Sequence, residues 1–275
     1  MWIFNNIWGK IFEFLFFPFK SIHPWYGMIF ISFLTGLLML FIFRYTSNQE
    51  GIRKVKNRIK AHLLEIRLFK DDLGLMFKAQ KNILQNNLIY MKYSLKPMLV
   101  MIIPLILILI QLNLWFSQKP LEPNQSAIVI LNLQPNVSPI ETSVKIRTPE
   151  GVSVETPALR IMNKPQINWR IRAEKYGQFN IEFETSETKL NKKLIVSPRK
   201  FIKLSSKKVS KNFIDEIVYP GEPPLPRNPV VRSIEIKYPP ARLNFLGLKI
   251  HWLIAFFVLS ILFGFSLKRF FKVEI

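Results

Sequence analysis

The central stretch of the chain, residues 51–94, reads GIRKVKNRIKAHLLEIRLFKDDLGLMFKAQKNILQNNLIYMKYS and contains no proline. In each half, mostly apolar residues recur at alternating spacings of three and four, which are typical of one face of a paired helix. The two sets are Ile52, Val55, Ile59, His62 and Ile66, then Met76, Ala79, Ile83, Asn86 and Tyr90. Asp71 and Asp72, beside Gly74, interrupt the pattern as a turn and a helix N-cap would. The stretch therefore predicts two amphipathic helices that form an antiparallel hairpin.

Apolar segments flank this hairpin on both sides. Residues 27–43 read GMIFISFLTGLLMLFIF, and residues 97–116 read PMLVMIIPLILILIQLNLWF. Each segment has about the length that a helix needs to cross the hydrocarbon core of a bilayer. A third apolar segment covers residues 246–267. We predict a transmembrane helix for each of the three segments, with the hairpin occupying residues 44–96.

The distribution of charge predicts the orientation. The chain has a net charge of +21, and residues 44–96 carry 12 Lys and Arg against 4 Asp and Glu. Short loops rich in Lys and Arg stay in the cytoplasm. The hairpin and the tail at 268–275 are therefore predicted inside, and the N-terminus and residues 117–245 outside, in a bacterial inner membrane. The same positive charge has two further uses that stay open: attraction to anionic membrane lipid, and contact with ribosomal RNA or an acidic partner.

The N-terminal segment, residues 1–26, has a narrow polar stripe. Asn5, Gly9 and Glu13 recur at a spacing of four among Trp, Phe, Ile and Leu residues. This pattern predicts an amphipathic helix that lies in the plane of the lipid headgroups. A signal peptide is the alternative, but the segment has neither a basic start nor a small-residue cleavage site.

Apolar and polar residues alternate in the part of the chain that follows the second apolar segment. QINWRIRA (166–173) and QFNIEF (178–183) show this alternation, and Gly177 lies between them at hairpin distance. Further candidate strands are Ile128–Leu133, Val144–Arg147, Val152–Val154, Leu159–Met162, Leu190–Val196 and Ile234–Tyr238. The set predicts an immunoglobulin-like β-sandwich without a disulfide, because the chain has no cysteine.

Three further expectations concern this extracytoplasmic domain at 117–245. Trp169 is expected in its core, and Lys192 at its surface. The proline-rich run at 219–229, YPGEPPLPRNP, cannot form a central strand and predicts an extended stalk or strap. Together with the helices, the domain predicts an α+β membrane protein with three transmembrane helices, a cytoplasmic helical hairpin and an extracytoplasmic sandwich.

Side chains suited to catalysis or metal binding are scarce. Cysteine is absent, and the three histidines, His23, His62 and His251, lie in different segments. The sequence contains no metalloprotease, phosphate-binding-loop or serine-hydrolase motif. We therefore expect no enzymatic activity, no cofactor, no metal and no DNA partner.

The order of these elements resembles the YidC/Oxa-type membrane insertase superfamily. Its three-span members, the small archaeal proteins and the insertase subunit of the ER membrane complex, are closest in layout. The resemblance covers residues 1–116 and 246–275. It implies a groove, open to the cytosol and to lipid, that shortens the path of a client segment through the bilayer. The hairpin would then meet the ribosome, the client or partner subunits.

The resemblance also implies roles for particular residues. The residues implied for the client groove are Thr35, Arg44, Lys96, Ser260 and Ser266. Those implied for a cytoplasmic recruitment surface are Arg53, Lys54, Lys56, Arg58, Lys60, Arg67 and Lys70. The chain departs from the bacterial members in two ways. Its Arg44 lies at the end of a span rather than well inside it, and its β domain lies between the second and third spans.

Two functions therefore remain open from the sequence. The first is an insertase or insertion chaperone whose clients are membrane proteins. The alternative is a structural or accessory subunit that packs against partner subunits in a larger membrane complex.

Overall fold

The computed structural model describes residues 2–186, 188–245, 247–271 and 273–274. These residues form an α+β chain with antiparallel sheets. They divide into two compact units, of which the first joins Met1–Gly27 with Leu109–Trp252 and the second joins Met28–Ile108 with Leu253–Ile275. The predicted boundaries at residues 1, 246 and 275 lie outside the described residues.

The helical elements follow the apolar and amphipathic segments of the sequence. They are α1 (Trp2–Phe16), a 3₁₀ turn (Phe17–Phe19), α2 (Pro24–Thr46), α3 (Gln49–Leu68), α4 (Leu73–Phe116), α5 (Phe213–Val218) and α6 (Trp252–Leu267). Two of them, α2 and α4, are long and apolar enough to cross a membrane, and α6 is a shorter apolar helix of 16 residues.

Side-chain caps begin both helices of the hairpin. The backbone N–H of Gly51 donates to Asn48 Oδ1 (2.9 Å), and the N–H of Leu75 donates to Asp72 Oδ1 (3.0 Å). Each cap satisfies one of the free N–H groups at a helix N-terminus. The predicted turn and N-cap at Asp72 are confirmed.

The second arm of the hairpin continues into the second apolar segment. Helix α4 runs for 44 residues through Pro97 and Pro104, although proline lacks the N–H of a normal helical hydrogen bond. The sequence pattern placed a boundary at 96/97, where charged residues give way to apolar ones. Polarity changes at that point, but the backbone conformation does not.

The residues of the predicted seam are all buried or half-buried. Ile52, Val55, Ala79 and Asn86 are buried, and the other six seam residues are partly buried. At the base of the hairpin, Ile52 packs in a cluster with Tyr90 and Tyr93. The spacing of three and four therefore identified the inner faces of both helices.

The strands form two larger antiparallel sheets and a separate hairpin. The strands are β1 (Ser126–Leu133), β2 (Val144–Arg147), β3 (Val152–Val154), β4 (Leu159–Ile161), β5 (Gln166–Ala173), β6 (Gly177–Thr185), β7 (Lys189–Val196), β8 (Lys207–Val209), β9 (Val231–Lys237), β10 (Leu243–Phe245) and β11 (Leu248–Ile250). One sheet has the order β3-β5-β1-β9-β8, with β4 also paired to β5, and the other has the order β2-β6-β7. Strands β10 and β11 pair only with each other among the described strands. Residues 117–245 are called the β domain below.

The hairpin predicted across Gly177 is wrong. Strand β5 pairs with β1, where Trp169 lies opposite Val129, whereas β6 pairs with β7, where Phe183 lies opposite Leu190. The chain therefore passes from one sheet to the other at Gly177. Alternation identifies the buried face of a strand but not its neighbour. The rings of Trp169 and Phe183, 5.7 Å apart, meet across the core shared by the two sheets.

The other expectations for the β domain have mixed outcomes. Trp169 is 3% exposed, which confirms its place in the core. Lys192 is fully buried, so its predicted surface position is wrong. The proline-rich run lies along the edge strand β8, where the N–H of Leu225 donates to Val209 O (2.7 Å) and the Leu225 side chain is buried.

Candidate functional site

Helices α2, α4 and α6 of the second unit line an open cavity of about 670 Å³, called the groove below. Its size lies within the usual range of about 300–1,000 Å³ for ligand pockets. One serine or threonine from each helix lines it: Thr35 from α2, Ser94 from α4 and Ser260 from α6. The other lining residues are Gly, Met, Leu, Ile, Phe and Tyr.

These three hydroxyl groups are buried and lack hydrogen-bond partners. Thr35 Oγ1, Ser94 Oγ and Ser260 Oγ are each closed to solvent and have no partner among the described residues. A buried polar group without a partner costs about 1–3 kcal/mol. The walls of the groove therefore hold three hydroxyl groups with unused hydrogen-bonding capacity, which a ligand reaches when the side chains turn towards it.

Methionine is the second distinctive component of the lining. Four of the eight methionines of the chain, Met39, Met91, Met98 and Met101, line the groove. Methionine side chains are unbranched and polarizable, so they adapt to apolar surfaces of different shape. A lining of this kind suits varied apolar segments better than a single rigid ligand.

A close helix contact forms one wall of the groove. A Cβ atom added at Gly36 would lie 2.9 Å from the carbonyl oxygen of Ser260 and 3.3 Å from the backbone nitrogen of Gly264. Small residues allow two helices to approach in this way. The contact places Thr35 and Ser260 on neighbouring parts of the same wall.

The structure brings together two of the five residues predicted for the groove. Thr35 and Ser260 line it, whereas Arg44, Lys96 and Ser266 are exposed and do not. Successive helical residues are about 100° apart around the axis, so residues separated by two positions lie on nearly opposite faces. Ser266 is two residues beyond the lining residue Gly264, and for this reason it points away from the groove.

Ser94 was missed by the sequence reasoning. Lys92 and Lys96 flank it, and their charge placed the whole segment in the solvated hairpin. Each lysine is two positions from Ser94, so the helix turns both away from the groove while Ser94 faces it. Helical periodicity through the Pro97 boundary would have been the signal that identified Ser94.

The C-terminal segment packs at the hairpin end of the groove. Val273 is buried in a cluster with Leu40 and Phe43, which also line the groove. The N–H of Glu274 donates to Gln49 Oε1 (2.7 Å), and its carboxylate lies 3.2 Å from Lys56 Nζ. These contacts hold the segment against the base of the hairpin.

The predicted recruitment surface is mostly exposed. Arg53, Lys54, Arg58, Lys60, Arg67 and Lys70 are exposed, whereas Lys56 is half-buried and paired with Glu274. Lys54 also has a partner, since its ammonium lies 2.8 Å from Glu50 and their hydrogen bond lowers the pKa of that carboxyl group. The other five residues of this surface have no acidic partner among the described residues: Arg53, Arg58, Lys60, Arg67 and Lys70.

The β domain contains a buried ion pair that the sequence reasoning also missed. Lys192 Nζ contacts the Glu222 carboxylate and donates to Ser205 O (2.6 Å), and both charged side chains are buried. Burial lowers the pKa of Lys192, and the charge of Glu222 opposes that shift. On β7, Lys192 lies on the same buried face as Leu190 and Leu194, and this alternation was the available signal.

Among the described residues, no group of three or more His, Asp or Glu side chains could hold a metal ion. No family model matches the chain, and comparisons with curated proteins and with solved structures likewise find no match. The geometry of the groove and the sequence pattern are therefore the basis for inferring the function.

Proposed function

We propose that this chain is a membrane insertase or insertion chaperone of the YidC/Oxa type, which acts without covalent chemistry. The observation that carries the proposal is the groove itself, with one unpartnered hydroxyl from each of three apolar helices and four methionines around them. Such a lining offers a few weakly polar positions inside an otherwise apolar, adaptable surface. This combination fits a client helix that has a polar flank and an apolar body.

The exposed side chains of the same helices support placement in a membrane. Ile29, Phe41, Ile103 and Leu262 are large apolar residues that are 42–67% exposed. In water this surface would be costly, whereas the hydrocarbon core of a bilayer accommodates it. The proposed topology has three spans, α2, α4 and α6, in a bacterial inner membrane. The N-terminus and the immunoglobulin-like β domain lie outside, and the hairpin and C-terminus lie inside.

The length of α6 suits the proposed activity. At about 1.5 Å per residue, its 16 residues span roughly 24 Å, which is less than the hydrocarbon thickness of about 30 Å. A short span is accommodated by local thinning of the bilayer. Thinning beside the groove would reduce the distance over which the polar flank of a client is desolvated.

In the proposed mechanism, the client enters from the hairpin side. The exposed Arg and Lys side chains of α3 attract an acidic flank of the client or ribosomal RNA. The polar flank then exchanges hydrogen bonds with Thr35, Ser94 and Ser260, while the apolar body contacts the methionines. Lateral movement into lipid finally replaces the methionine contacts with acyl chains at little cost.

A structural or accessory subunit is the alternative function, and one observation favours it. The hairpin exposes Leu64, Leu68, Phe69 and Phe77, which are 50–73% exposed around its turn. In the proposed topology these residues lie outside the bilayer, where a partner subunit would cover them. In that case the groove would be filled by a helix of the same partner.

Site-specific photocrosslinking separates the two functions. A crosslinking residue at Thr35 or Ser260 is expected to capture many newly made membrane proteins. The same residue at Ser266, on the opposite face of α6, is the matched control and should capture few. One discrete band at Thr35 and Ser260 that persists when translation is blocked would support the accessory subunit instead.

A further inference from the structure

The first unit contains a separate pocket of about 330 Å³ beside the β domain. Its walls come from α1, the last turn of α4, strands β6 and β7, and the segments at 202–205 and 221–222. The charged and aromatic residues of its lining are Glu13, Lys20, Trp115, Lys193, Lys203 and Glu222. None of them belongs to the groove.

Helix α1 forms one wall through its polar stripe. Asn5 Nδ2 donates to Glu216 O (2.8 Å), and Glu13 pairs with Lys203 Nζ (2.7 Å). Lys203 Nζ also lies 3.1 Å from where a Cβ of Gly9 would be, so a side chain there would crowd this ion pair. The stripe therefore faces the β domain, together with the buried rings of Phe12 and Phe16, whereas Ile3, Ile7 and Phe14 remain exposed.

The charge of the pocket is not balanced. Glu13 is paired with Lys203, and Glu222 is paired with Lys192. Both carboxylates that line the pocket are thus already neutralised, whereas Lys20 and Lys193 have no acidic partner among the described residues. Burial lowers the pKa of the neighbouring Lys192, the charge of Glu222 opposes that shift, and the charges of Lys208 and Lys193 add to it.

Trp115 adds an unused hydrogen-bond donor. Its ring is 2% exposed, and its Nε1 atom has no hydrogen-bond partner in the described part of the chain. The indole N–H can only donate, and a buried one normally has an acceptor. The rings of Phe16 and Phe201, at centroid distances of 5.0 and 5.2 Å, hold the indole in place. The pocket is therefore positive, and its wall holds an indole N–H without an acceptor, which is covered by neighbouring atoms.

We infer that this pocket binds the phosphate group of an anionic lipid headgroup, with Lys20 and Lys193 as its charged contacts and the Trp115 indole N–H as a donor that a small movement of the ring brings to the ligand. Phosphate oxygens supply the missing acceptor and the missing negative charge together. The volume suits a headgroup fragment rather than a whole lipid.

The surroundings favour a lipid over a free anion. Trp115 lies in the last turn of α4, which is apolar and long enough to cross a membrane. Tryptophan is enriched at the level of the headgroups. Beside the pocket, α1 exposes Ile3, Ile7 and Phe14, which are 57–80% exposed and would enter the acyl region. This inference rests on the proposed membrane placement but not on insertase activity.

The test uses the purified full chain in detergent, with lipid retention measured by native mass spectrometry. Phosphatidylglycerol, which carries a net negative charge, is compared with zwitterionic phosphatidylcholine. The double variant Lys20→Gln, Lys193→Gln should retain phosphatidylglycerol on the order of tenfold less than the unchanged chain. Trp115→Phe, which keeps an aromatic ring but removes the N–H and part of the ring volume, should show a smaller loss in the same direction.

The matched control removes two lysines elsewhere in the domain. Lys145→Gln with Lys175→Gln makes the same change of charge at exposed positions that do not line the pocket, and retention should not change. Equal retention by the pocket variant and this control would overturn the inference, as would equal retention of the two lipids. Inorganic phosphate that displaces the lipid at submillimolar concentration would identify a small anion as the ligand and overturn the lipid assignment.

The membrane placement has a separate readout. Flotation of the Lys20→Gln, Lys193→Gln variant with phosphatidylcholine vesicles measures whether the protein inserts into a membrane when its pocket lacks both lysines. If the variant floats but unchanged protein retains no phosphatidylglycerol, the pocket inference fails while the proposed function stands.

Discussion

The groove and the β domain bury polar side chains of different kinds. Around the groove they are three neutral hydroxyls without partners, whereas the β domain buries Lys192 and Glu222 in direct contact. An unpaired buried charge costs far more than an unpaired hydroxyl. A chain can therefore leave hydroxyls free for a ligand at modest cost, but it must pair its buried charges. The ion pair is structural, and the hydroxyls are the groups that the proposed function assigns to the client.

The largest effect should follow from breaking the ion pair. Glu222→Gln leaves Lys192 buried without its counter-charge and should destabilise the protein by about 3–5 kcal/mol. Glu182→Gln is the matched control, because Glu182 is exposed on β6, and it should cost about 0.5 kcal/mol or less. Thermal unfolding of the purified chain, followed by tryptophan fluorescence, measures both variants.

A second variant tests whether the effect of Glu222→Gln comes from the loss of its pairing with Lys192. Lys192→Met combined with Glu222→Gln removes both charges and should be more stable than Glu222→Gln alone. If the double variant is less stable than the single one, the two side chains are not coupled in the way their contact indicates.

An intermediate effect is expected at the closest helix contact of the groove. Gly36→Leu places a large side chain where even a Cβ would lie 2.9 Å from a backbone oxygen of α6. The two helices must separate, at a cost of about 1–3 kcal/mol. Gly264→Leu is the comparison, since a Cβ at Gly264 meets no described atom within 4 Å. Similar melting temperatures for the two variants would contradict the tight contact.

Removing the hydroxyls of the groove should have the opposite effect on stability. Thr35→Val and Ser260→Ala remove buried groups that have no partner, so each should leave stability unchanged or raise it by up to about 1 kcal/mol. A clear loss of stability in either variant would mean that the hydroxyl has a partner within the folded chain.

Features of the fold and of the groove could be predicted from the sequence where they depend on residues close together in the chain, and not where they depend on distant segments. The seam of the hairpin and the cap at Asp72 follow from spacings within one or two helical turns, and both predictions were right. The pairing of β5 with β1 joins segments about 40 residues apart, and no local pattern encodes it. Ser94 was missed because the lysines beside it dominated the interpretation, and Lys192 was placed at the surface although the alternation along β7 puts it on the inward face.

The smallest effect concerns acid stability. A hydrogen bond from Lys189 lowers the pKa of Glu184, and one from Ser126 lowers the pKa of Glu155. A carboxyl group whose pKa is lower in the folded state stabilises that state above the unfolded pKa, near 4.5, and loses this contribution as the pH falls. Melting temperatures between pH 6 and pH 3 should therefore fall less steeply for Glu184→Gln than for the unchanged chain. A parallel fall in both would contradict the assignment.

The central claim is that the groove hydroxyls receive the client. The measurement is insertion of newly made membrane proteins into vesicles that contain either the unchanged chain or the triple variant Thr35→Val, Ser94→Ala, Ser260→Ala. The account predicts that insertion of clients with a polar flank falls several-fold while the melting temperature stays the same or rises. The variant Ser266→Ala, on the outer face of α6, should insert clients normally. Unchanged insertion by a stable triple variant would contradict the claim.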